Sequence, residues 1–318
     1  MKILRRIIFY LTLTIAALLI ALVTSVFLFR DRIINEFIRE ANKNLSTPVT
    51  IGKIDVSVFE NFPQLSIVCT DVYIEDSHPG LYPLFTAKKV SFRLNPIQVW
   101  RGVYTINGLK IFDSETSLKL TGDGINNYTI VKKSSAREKS SVSFELSNVE
   151  LSGTRVSYVD LRMKQDLLFA STDLIASIKS TNDIYDIDVD GQITTTQLEI
   201  NGQSFMTGKN FQVTSNLLYD DIQKSLDINP STLELRKARF SVKGNYKWKE
   251  KNLIHLETQG QNTDVQTLIS LFPEQSAQRL DKYQSKGDVY FTAKLDGEIG
   301  QNVNPSLSIS FGCTNTTI

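Results

Sequence analysis

From Val49 onward this 318-residue chain is dominated by period-two alternation. In VTIGKIDVSV, the apolar Val49, Ile51, Ile54, Val56 and Val58 stand among polar residues, with Gly52 read as a bulge. LSIVCTDVYI, LFTAKKVSFRL and VYTINGLKIF follow at short intervals, and the pattern resumes at Val142 and runs on towards Cys313. Side chains along a strand point alternately to opposite faces, so this alternation marks half-buried strands. Val, Ile, Thr, Tyr and Phe fill the runs, while Gly, Asn, Asp and Pro punctuate them, Asp123-Gly124 being a turn signal. Strands recur every ~8–14 residues, the spacing of a meander.

Only two stretches after residue 30 follow helical spacing. In Asp31–Asn44, Ile33, Ile34, Phe37, Ile38 and Ala41 form an apolar stripe. Such a helix either lies on a membrane, plugs the end of a sheet, or continues a preceding helix. In Thr263–Tyr283, Thr263 and Gln266 match a capping box, and Val265, Leu268, Ile269 and Phe272 form a stripe that Pro273 breaks. The expected fold is therefore mainly β: a long curled antiparallel sheet in two sections, 49–133 and 142–318. A polar linker at 134–141 separates them, and a helical insertion at 263–283 interrupts the second.

Ahead of the strands, Ile7–Phe29 is a run of 23 uncharged residues, preceded by Lys2, Arg5 and Arg6. A helix needs about 20 apolar residues to cross a bilayer, and a basic flank stays in the cytoplasm. A cleaved signal peptide has a shorter apolar core and a small-x-small site, whereas Arg30-Asp31-Arg32 follows this run. Residues 1–30 are thus expected to form a cytoplasmic tip and membrane anchor, and 31–48 an amphipathic helix and junction. Residues 1–48 hold seven Lys/Arg and three Asp/Glu, leaving 28 and 31 for the remainder. A body without basic excess argues against nucleic acid as a partner.

The residues of enzyme chemistry are sparse. His78 and His255 are the only histidines, with no metal-ligand spacing around them, and nucleophile-elbow, P-loop and dinucleotide motifs are absent. Asp183, Asp186, Asp188 and Asp190 lack the Glu of a calcium loop, and at period two the last three line a solvated strand face. Cys69 and Cys313 are expected to stay unpaired with each other. No catalytic residue, metal or cofactor is expected. A long sheet with so few helices either folds on itself as a sandwich or curls into a groove filled by something apolar. Val56, Val58, Val90, Phe92, Ile106 and Leu109 are the candidate lining residues, chosen from strand spacing.

Phe59–Ile67, FENFPQLSI, leading into Asp71-Val72-Tyr73-Ile74, resembles the start of AsmA-like proteins of Gram-negative envelopes. Thr86–Leu94, the Asp123–Asn126 turn, LISLFP and KGDVYFTAKLDG resemble that family too, while Asn126-Asn127-Tyr128 departs from its more usual Asn-Trp. The resemblance implies a bridge-like lipid-transfer protein: a repeating β-groove, anchored in the inner membrane with its body in the periplasm, conducting phospholipid towards the outer membrane. It implies no catalytic residues, and it implies that the chain is an N-terminal portion of a longer member. The partners expected are phospholipid acyl chains, the inner membrane, and outer-membrane or envelope proteins. The alternative is an anchored assembly factor for outer-membrane proteins that works through exposed sheet edges.

Overall fold

The computed structural model describes residues 10, 13, 24, 28, 31–39, 45–78, 83–130, 142–144, 146–181, 183–273, 275, 277, 279, 286–300 and 303–317. The run 7–29 lies outside them except for Tyr10, Leu13, Thr24 and Leu28, which are helical. Among the described residues no helix is long and apolar enough to cross a membrane. The linker at 134–141 also lies outside them.

Among the described residues the body is mainly β, a single 16-stranded sheet. Strands β1 (Val49–Asn61), β2 (Gln64–Glu75), β3 (Pro83–Leu94) and β4 (Tyr104–Leu120) form an antiparallel meander, with the short helix α2 (Pro96–Trp100) between β3 and β4. Asn95 caps α2 by accepting from the Ile97 and Gln98 amides. The expectation of a wholly antiparallel sheet fails next: β4 pairs in parallel with β5 (Val142–Phe144) and β6 (Val149–Asp160). Segment 121–148 causes this, because it carries the chain back to the starting end of β4 before β6 begins. Only a connection of a dozen or more residues can do so. The sections 49–133 and 142–318 are consequently parts of one sheet, joined at this parallel seam.

Beyond β6 the pairing is antiparallel throughout. The strands are β7 (Gln165–Ser171), β8 (Leu174–Thr181), β9 (Ile184–Ile200), β10 (Gln203–Ser204), β11 (Lys209–Asp220), β12 (Ser225–Leu235), β13 (Ala238–Lys247), β14 (Leu253–Thr263), β15 (Lys286–Glu298) and β16 (Ser306–Thr317). Helix α3 is only Val265–Ile269, followed by further helical residues at 275, 277 and 279. Its cap is Asp264, not Thr263: the Asp264 carboxylate accepts from the Thr267 amide, while Thr263 is fully buried and still paired with Val289 in β14.

The stripe at 31–39, helix α1, covers the first section. Ile33 is 1% exposed, and the Phe37 and Phe92 rings stand 4.9 Å apart. Leu65, Ile67, Cys69, Leu94 and Ile106 form the core beneath them. Helix α1 therefore packs on the sheet as a cover; the junction that would make it a continuation of a preceding helix lies outside the described residues.

A seam of irregular positions crosses this section. The β1/β2 register skips Gly52–Asp71, β2/β3 skips Asp71–Lys88, β3/β4 skips Lys88–Asp113, and β4/β6 skips Asp113–Gly153. Asp71, Asp113 and Gly153 have φ of 52°, 48° and 65°. Gly52 is thus no isolated bulge; it makes room for the left-handed Asp71, whose Cβ would lie 3.1 Å from a Cβ placed at Gly52. Each strand gains one residue here, so Cys69 and Val72, three apart, share one core, as do Ala87 and Val90.

Candidate functional site: an apolar track and its two ends

Side chains directly opposite each other across paired strands lie on the same face. Following the registers from β11 to β16, Leu217, Ile228, Leu256, Leu295 and Leu307 form one row, with Gly244 between Ile228 and Leu256. A second row on the same face holds Val213, Leu233, Phe240, Phe291 and Phe311, with Gly260 among them. A Cβ at Gly260 would come within 2.1 Å of the Phe291 ring, so glycine is what lets that ring lie across the strand. Between the two rows run Val242, Thr258, Ala293 and Ile309.

The two rows differ in cover. Leu268 and Leu271 pack on the phenylalanine row, where Val213 and Phe240 are buried. No member of the leucine row is fully buried, and Leu307 is 62% exposed. On edge strand β16, Ile309 and Phe311 are also exposed. Where the rows meet α3 there is a cleft of about 410 Å³. Its lining includes Leu268, Phe272, Val289, Phe291, Ile309 and Phe311, with no charged residue among the described ones. That volume lies within the range of ~300–1,000 Å³ typical of small-molecule sites.

The other end of the track opens into a larger cavity of about 1020 Å³. It is bordered by Tyr128 and Tyr158 from the β4–β6 side and by Tyr219, Tyr246 and Trp248 from the β11–β13 side. Strands β6 and β13 are five steps apart in the sheet order. At ~4.8 Å a step, a flat sheet would hold them about 24 Å apart. One cavity bordered by the end of β6 and the opposite end of β13 therefore requires the sheet both to twist, by ~20–25° per step, and to curl on itself. The hairpin turns here share a form. Asp160 accepts from the Arg162 and Met163 amides, and Asp220 from those of Ile222 and Gln223. Lys164 and Lys224, four residues after each Asp, have φ of 49° and 53°. Burial raises the Tyr128, Tyr158 and Tyr246 hydroxyl pKa values, and the Asp160 charge raises them further.

The six residues named from strand spacing are all brought together, but in the first section. Val58, Val90 and Ile106 are core members, and Val56, Phe92 and Leu109 pack against them under α1. The apolar face that is left partly open belongs to β11–β16. Its alternation was readable in SLSISFGC, where Leu307, Ile309, Phe311 and Cys313 share a face; which strands lack a helix over them was not. Asp186, Asp188 and Asp190 lie along β9, bonded by Asn216, Ser177 and Thr214, and among the described residues no cluster suits a metal ion. Cys69, in β2, and Cys313, in edge strand β16, are both free thiols. Comparison with family models, curated proteins and solved structures finds no match to this chain.

Proposed function

We propose that this is an inner-membrane-anchored periplasmic protein whose sheet curls into a groove and carries phospholipid towards the outer membrane. The observation that carries the reading is the apolar track across β11–β16, half-open along its leucine row and leading into a cleft whose described lining is wholly apolar. Acyl chains moving from a bilayer onto such a track exchange one apolar surrounding for another. Burial worth ~25 cal/mol per Å² is then retained through the transfer. Headgroups stay in water at the open side. The anchor is Ile7–Phe29, with the N-terminus in the cytoplasm.

The test is mass spectrometry of lipid retained by the purified full chain, beside the double variant Leu256→Glu, Leu295→Glu. A buried unpaired charge is costly in an apolar site. These half-exposed positions tolerate it in the empty protein but not against an acyl chain. The expected result is a folded variant, by circular dichroism, that has lost its lipid. Wild-type protein without lipid, or a folded variant with undiminished lipid, overturns the reading.

One feature favours the second reading, an assembly factor for outer-membrane proteins. Strand β16 is a twelve-residue edge with no charged residue. Edge strands that avoid pairing carry charge, proline or bulges. Crosslinks from Ser308 or Ser310 to barrel strands, in protein free of lipid, would favour that role.

A further inference from the structure

We infer that the cavity between Tyr128, Tyr158, Tyr246 and Trp248 binds an uncharged, hydroxyl-rich ring, a saccharide unit either free or at the head of a glycolipid. Trp248 stacks with Tyr219 and Tyr246 at centroid distances of 6.0 and 5.3 Å, and this aromatic wall, with Tyr128 and Tyr158 opposite, borders the cavity with apolar surface for the C–H faces of a sugar ring, while the tyrosine hydroxyls supply directional polar contacts. A cavity of about 1020 Å³ has room for several such units. Its charges are paired within it: Arg162 Nε lies 3.9 Å from the Asp160 carboxylate, and Lys224 Nζ lies 2.6 Å from that of Asp221. Lys249, the remaining cation among the described border residues, is exposed. A phosphate would face two carboxylates and a quaternary ammonium would face two paired cations, whereas a neutral ligand meets neither penalty.

Two groups also have unused hydrogen-bonding capacity. Arg162 Nε is buried and donates to no acceptor. Asp160, 4% exposed, has one carboxylate oxygen occupied by the Arg162 and Met163 amides. The Tyr158 hydroxyl donates to the other from 3.4 Å, a long bond. A ligand hydroxyl can accept from Arg162 and donate to Asp160 at once, which neither a pure donor nor a pure acceptor can do.

The inference stands apart from the lipid reading, because its readout is local. In the full chain in detergent, with Trp100→Phe, Trp248 is the sole tryptophan. Its fluorescence is titrated with trisaccharides of glucose, galactose and N-acetylglucosamine, with a glycolipid dispersed in the same detergent, and with inorganic phosphate and choline. A saturable shift with a sugar or the glycolipid is expected. It should weaken about tenfold in Tyr246→Phe and in Arg162→Ala, as the loss of one or two hydrogen bonds predicts. A response to free trisaccharide identifies a soluble source, and a response to glycolipid alone a membrane source. Saturation by phosphate or choline alone, no saturation by any probe, or equal affinity in both variants while circular dichroism shows them folded overturns the inference.

Discussion

Gly153 and Asp113 face each other with both backbones left-handed, at φ of 65° and 48°. A Cβ at Gly153 would lie 2.6 Å from the Asp113 carboxylate, which is paired with Lys88 at 3.0 Å. Gly153→Ala is expected to cost about 1–3 kcal/mol in a urea titration, from left-handed strain and displacement of that carboxylate. Asp113→Gly, which relieves the same backbone and loses an exposed ion pair, should cost less than about 1 kcal/mol. A second residue-scale prediction concerns alkaline pH. Burial pushes the Cys69 thiol from 9.0 up to about 12, and the Tyr158 and Tyr219 hydroxyls from 10.0 to about 12. These groups ionise earlier in the unfolded chain, so the stability of their neutral forms is whole below pH 9 and is lost as pH rises to about 12. Urea midpoints should fall across that window, and a thiol reagent should label exposed Cys313 in the native protein but Cys69 only on unfolding.

Helix α1 and the strands beneath it separate what the sequence made legible from what it hid. The stripe at Ile33 and Phe37 and the strands themselves follow from periodicity, and most runs read as strands are strands. Facing did not follow, because the seam at Gly52, Asp71, Lys88, Asp113 and Gly153 adds one residue to each strand. Strict period two then puts Cys69 and Val72 on opposite sides, whereas they share a core. Cover did not follow either: Phe92 alternates just as Phe291 does, yet Phe92 meets the Phe37 ring and Phe291 borders the open cleft. Hence Phe92→Glu is expected to unfold the first section, with loss of far- and near-ultraviolet dichroism. An Ile309→Glu change at the open face should leave both signals intact. The Tyr-lined cavity was the least legible feature, since its residues come from 128 to 248 and meet only through the twist and curl of the sheet. The Asp-x-x-x-Lys spacing at Asp160–Lys164 and Asp220–Lys224 was its one local sign.

For the whole molecule, the uncharged β16 edge makes solution behaviour predictable. An edge of this length exposing Leu307, Ile309 and Phe311 invites strand-to-strand association. Light scattering should show association rising with protein concentration, and Ser308→Lys with Ser310→Lys should suppress it without changing the lipid retained, since these residues alternate with the apolar face. The parallel joint between β4 and β6 has a separate consequence. It is the last place where the chain must return to the starting end of a strand; after it every pairing is antiparallel, and successive strands follow through short connections except across the insertion between β14 and β15. Adding or removing a hairpin there changes the span of the sheet by two strand spacings, about 10 Å, without rewiring its remainder. The length of the path across the sheet is therefore an independently adjustable dimension, a ruler counted in hairpins.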